Sequence, residues 1–150
     1  MSYEEKRALG EKFIKDVNLG AYDEVTTFLN NKGDVDFRDT GQNTALIIAA
    51  RNCDEKMIVL LVESGANVNL RNMYGVTATD DAWNQNKETG FRIAVYLEEH
   101  GGTASPAYDA TRGMYKQSLI DNDITIAHDL CKKANDEITA LGRGARRMKD

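Results

Sequence analysis

Histidine, cysteine and paired carboxylates are the side chains of this sequence best suited to chemistry, and their spacing decides what they can do. His100 and His128 are the only histidines, and the one candidate ligand partner is Cys131, three residues after His128. On a helix those two would share a face, but two ligands fall short of the four that a structural zinc site takes. Cys131 therefore reads as a core residue with His128 at its margin, and neither a metal nor a cofactor is expected. Asp80-Asp81 and Glu98-Glu99 are adjacent pairs, whose side chains diverge on a helix and so do not form an acid-base dyad. Asp121-Asn122-Asp123 opens like a calcium loop, yet Ile126 stands where such a loop needs glycine and no glutamate follows at its twelfth position. A nucleophile turn, a dinucleotide glycine pattern and a phosphate-binding lysine loop are all missing. The expectation is a protein that is not an enzyme.

Composition supports a folded domain with an appendage: 150 residues, 41% hydrophobic, with a net charge of -5. Cys53 and Cys131 lie far apart, no apolar segment opens the chain, and no run approaches the ~18 apolar residues that cross a bilayer. These features point to a soluble protein without membrane attachment in a reducing, cytoplasmic setting. Arg143, Arg146, Arg147 and Lys149 against Asp150 give the last nine residues +3, so residues 1–141 carry -8. Such a tail is either a solvated terminus or an anionic-partner site for nucleic acid or an acidic protein; the acidic body makes nucleic acid the lesser alternative.

The elements that must position any site repeat at an offset of 33 residues. Val25 falls on Ile58, Phe28 on Leu61, Leu29 on Val62, Val35 on Val68, Thr44 on Thr77 and Ala49 on Ala82. A period of this length marks a stack of small units. Ser2 and Glu5 form a capping box before a helix from about Tyr3 to Val17, with Leu9, Phe13 and Val17 on one face. Gly20 breaks it, and Val25, Phe28 and Leu29 mark a shorter helix ending near Gly33. Thr44 caps Ala45 to Arg51, Asp54 caps a helix bearing Met57, Ile58, Leu60, Leu61 and Val62, and Gly65 closes it. The next unit aligns if about three residues are inserted near Asn86 to Gly90, and there Thr79 replaces an apolar residue and Trp83 a small one. Trp83 either fills the gap at Thr79 or meets later helices. Beyond Gly102 the projecting turn is cut to about four residues, Ser105-Pro106 opens another helix, and Ala127, Leu130, Cys131, Ala134, Ile138 and Leu141 form an apolar stripe. The fold class is all-α: about three helix-turn-helix units with projecting turns at about 3–38, 39–71 and 72–102, then a helical segment over 103–150. That segment either caps the stack or binds another chain, and a monomer is favoured over a homodimer through 124–141.

Residues Asp39 to Arg71 resemble an ankyrin repeat, through Thr44-Ala45-Leu46, Ala49-Ala50, Leu60-Leu61 and the closing Gly65-Ala66-Asn67-Val68-Asn69. The resemblance implies a helical repeat stack that binds a protein partner through turn tips and the exposed face of each first helix. It selects Arg38, Thr40 and Asn43 from one turn, Arg71, Met73, Tyr74 and Val76 from the next, and Arg51, Asn52, Asn84 and Gln85 along the helix ends. Arginine, tyrosine and methionine are enriched in interfaces, in agreement with that selection. Asp80 replaces the family's usual histidine and makes the groove more acidic. The expected role is that of a small inhibitor, adaptor or assembly factor.

Overall fold

The computed structural model describes residues 1–121. Among them the chain is a helical stack: α1 Tyr3–Leu19, α2 Tyr22–Asn30, α3 Ala45–Arg51, α4 Glu55–Glu63, α5 Ala78–Asn84, α6 Glu88–Glu99, a short 3-10 turn Pro106–Tyr108, and α7 Asp109–Asp121. The stripe from Ala127 to Leu141, His128, Cys131 and the basic residues Arg143 to Lys149 lie outside the described residues.

Four helices begin where a short polar side chain takes an otherwise unpaired backbone N–H. Ser2 Oγ accepts from Glu5 N at 3.1 Å, Thr44 Oγ1 from Ile47 N at 3.2 Å, Asp54 Oδ1 from Met57 N at 3.2 Å and Thr77 Oγ1 from Asp80 N at 3.1 Å. Each such cap contributes about 1 kcal/mol. The helix ends repeat as well. Gly20, Cys53 and Asn86 take left-handed backbone after α1, α3 and α5, and Lys32, Gly65 and Gly101 do so after α2, α4 and α6. The first series is spaced 33 and 33, and the second 33 and 36. The three extra residues therefore lie between Asn86 and Gly101, where α6 has 12 residues against 9 in α4.

Packing follows from side-chain size. The fully buried Ala45, Ala49 and Ala50 let α3 lie close to α1 and α5, while Met57, Ile58 and Leu61 of α4 and Ile93 and Leu97 of α6 fill the second layer. On α1 the buried stripe is Gly10, Phe13, Ile14 and Val17, with Phe13 stacked on Phe28 at 4.2 Å between ring centroids. Leu9, expected on that face, is exposed instead. Gly10 takes the inward position because the Phe37 ring lies so close that a Cβ there would be 2.3 Å from it.

Trp83, buried on α5, meets α7: its ring lies 5.6 Å from Phe91 and 6.2 Å, edge-on, from Tyr115. Its Nε1 donates to Glu98 at 2.8 Å, and the same carboxylate accepts from Arg112 Nε at 2.7 Å and faces Lys116 Nζ at 3.5 Å. Indole and carboxylate thus tie α5, α6 and α7 together. Thr79 is fully buried, and its hydroxyl has no hydrogen-bond partner among the described residues.

Candidate functional site

Two turns project from the stack, over residues 35–43 and 68–76, and each is braced by the side chain that opens its tip. Asp39 Oδ1 accepts from Gly41 N and Asn43 N, both at 2.9 Å. Asn72 Oδ1 accepts from Tyr74 N at 2.9 Å and Val76 N at 3.1 Å. The bracing works because a short side-chain oxygen can replace a backbone carbonyl as the turn's acceptor. Gln42 and Gly75 supply the left-handed residue of each tip. Neither Asp39 nor Asn72 was among the expected site residues, although their offset of 33 is a legible signal.

The two fingers are joined. Met73 N–H donates to Gly41 C=O at 3.0 Å, and Asn72 Nδ2 donates to Asn43 Oδ1 at 3.1 Å. Asn43 and Val76 are accordingly half-buried parts of the finger framework, whereas Arg38, Thr40, Arg71, Met73 and Tyr74 are exposed on it. Met73 is 61% exposed and Tyr74 81%. Arg38 Nη1 faces Gln42 Oε1 at 3.4 Å and Arg71 Nη1 donates to Gly75 C=O at 2.9 Å, and neither arginine has a carboxylate partner among the described residues.

Three of the four helix-end residues make side-chain bonds within the helical stack. Arg51 is engaged with Asp81, Nη2 to Oδ2 at 3.0 Å, and Gln85 Nε2 donates to the Asp81 carbonyl at 3.0 Å. Asn52 Nδ2 donates to Asn18 Oδ1 at 2.9 Å, and Asn84 is exposed. Burial pushes the Asp81 carboxyl up from its ordinary range, and the Arg51 charge and hydrogen bond partly oppose that rise. Leu19, 33 residues before Asn52, is 72% exposed at the same helix-end position, an apolar member of this row that its unit's weaker motif concealed.

The acidic pair is committed to the frame. Asp80 accepts from Thr77 N at 3.0 Å and, through its other oxygen, from Ser105 N at 2.7 Å. The aspartate that stands in place of the family's histidine thus makes its own inter-unit bond. Among the described residues no group of three or more histidine, cysteine, aspartate or glutamate side chains could hold a metal ion, and no helix is long and apolar enough to cross a membrane.

Residues 41–73 match the family model for the ankyrin repeat. The chain contains an ankyrin repeat at this stretch. The matched stretch runs from the tip of the first finger to the tip of the second, so it contains α3, α4 and the rung between Gly41 and Met73. No curated protein matches the chain. Ankyrin repeats in general are protein-protein interaction modules, and the braced second finger of this stack leaves two large side chains, Met73 and Tyr74, in water.

Proposed function

We propose that this protein is a small, non-catalytic binding protein that occupies the surface of a protein partner, as an inhibitor, adaptor or assembly factor. Residues 1–102 supply the recognition body, and residues 103–121 close its end. The observation that carries this is the exposure of Met73 and Tyr74, at 61% and 81%, on a turn whose hydrogen bonds include two to Asn72 Oδ1, two between backbone groups of the tip, one to Asn43, one to Gly41 and one from Arg71. A large apolar side chain on a pre-ordered loop loses little conformational entropy on binding and buries much area, which is the physics of an interface anchor. The carboxylates that chemistry would need support the non-catalytic role, because Asp80 and Glu98 are occupied by backbone, indole and guanidinium donors.

A photo-crosslinking amino acid at position 74 tests this, with the same group at the exposed Glu24 of α2 as control. A discrete protein adduct from position 74 and none from position 24 is expected. Equal adducts at both positions, or none at position 74, would move the binding surface elsewhere.

A further inference from the structure

The row of fingers is one member short, and the shortage explains why Met73 and Tyr74 stand in water. Asn67 N donates to Asp36 Oδ1 at 2.9 Å, and one unit later Thr103 N donates to Asn69 Oδ1 at 3.0 Å, so Thr103 is the counterpart of Asn67. Nine residues, 68–76, separate Asn67 from the helix-capping Thr77, whereas Ala104 alone separates Thr103 from the capping Ser105. The chain is drawn directly to the stack, with Thr77 Oγ1 donating to Thr103 C=O at 2.9 Å and Ser105 N to Asp80. It passes by the place where a third finger would project.

What a third finger would meet is visible from how the second meets the first. Met73 N–H donates to Gly41 C=O, and the Met73 sulfur lies 4.0 Å from where a Cβ on Gly41 would be. The counterpart of Gly41 on the second finger is Tyr74, whose C=O accepts no hydrogen bond from the described residues. The counterpart of Asn43 is Val76, which offers no side-chain acceptor. Arg71 spends one donor on Gly75 C=O and leaves the rest of its fork open. The vacant place therefore presents a main-chain acceptor, an apolar wall and a cation.

Taking the finger surface as the binding face, we propose that an extended acidic-apolar segment of another protein docks in place of the missing finger. It donates a main-chain N–H to Tyr74 C=O, lays an apolar side chain against Tyr74 and Val76, and sets a carboxylate on Arg71. Addition of an extended segment to an open edge is an established mode of peptide recognition. Charge selects the occupant: a second copy would bring Arg71 against Arg71, and the basic residues Arg143 to Lys149 have the wrong sign as well.

The probe is a short capped peptide of alternating aspartate and leucine, titrated into the 15N-labelled full-length protein. Saturable amide shifts confined to residues 71–76 are expected. Arg71→Ala should weaken the peptide about two- to fivefold, as for an exposed ion pair. Of two versions N-methylated on the aspartates or on the leucines, one should lose binding. The docking mode is overturned by shifts elsewhere or none, by equal binding of an alternating lysine-leucine peptide, or by both N-methylated versions binding like the parent. Concentration-dependent dimerisation that perturbs 71–76 without peptide would overturn it in favour of a second copy. If the peptides fail while position 74 still crosslinks to a partner, the finger surface stands and this docking mode falls; if both fail, the surface falls too.

Discussion

Two helical glycines should respond in opposite directions to the same substitution. Gly90 is buried on α6, and a Cβ there would lie 2.5 Å from the Ala82 carbonyl oxygen and 2.9 Å from Gln85 Cβ. Alanine in a helix is favoured over glycine by about 1 kcal/mol. Against that gain, ordinary contact begins near 3.4 Å, so α5 and α6 must separate by roughly 1 Å, and the obstacle is backbone that cannot rotate away. Overpacking of this kind costs about 1–3 kcal/mol. Rigid contact places Gly90→Ala toward the upper end, for a net loss of about 1–2 kcal/mol, or a melting temperature lower by roughly 2–8 °C. Gly113 on α7 has nothing within 4 Å of its Cβ position, so Gly113→Ala should gain up to about 1 kcal/mol in helix propensity. Urea unfolding followed by far-UV circular dichroism measures both. Fluorescence of Trp83, the sole tryptophan, reports the α5, α6 and α7 junction separately. A Gly90→Ala protein as stable as the parent would refute the close approach of α5 to α6.

Thr79→Val removes a buried hydroxyl without a partner and keeps the shape, so thermal unfolding should rise by the equivalent of about 1 kcal/mol. Burial, reinforced by the Glu88 and Glu55 charges and opposed by Arg92, pushes the Tyr115 phenol from 10.0 up to about 12. A raised pKa contributes stability that is present below pH 10 and lost as pH climbs through about 12, and Tyr115→Phe should flatten that alkaline loss in pH-dependent urea midpoints. Asn72→Ala deletes both tip braces and the bond to Asn43. Hydrogen exchange at the Tyr74 and Val76 amides should then accelerate at least tenfold while the amides of α4 keep their protection.

Local physics was legible in the sequence, and pairing across units was not. Thr44, Asp54 and Gly65 each act within a turn of their own helix, and their roles follow from residue type and position. Repetition at 33 residues extends that logic to the whole stack. Arg51 illustrates the opposite case, since its engagement depends on Asp81, 30 residues away and one unit along. Leu9 fits a helical stripe as well as Ile14 does, and what excludes it is the Phe37 ring settling over Gly10. Residue types left Trp83 with two destinations, and only the fold of α7 brings Tyr115 to it. The shortened segment after Gly102 is plain in the sequence, whereas the open Tyr74 carbonyl that results becomes visible only once the Met73–Gly41 rung has been seen.

Tyr74 on the second finger is the anchor of the protein-binding surface proposed above. The most direct test of that role is the affinity of the partner crosslinked at position 74, measured by calorimetry for the parent and for Tyr74→Ala, with unfolding curves confirming that both are folded. Loss of an interface anchor costs about 2 kcal/mol, so Tyr74→Ala should bind about thirtyfold more weakly at unchanged stability. Equal affinities for the two proteins would contradict it.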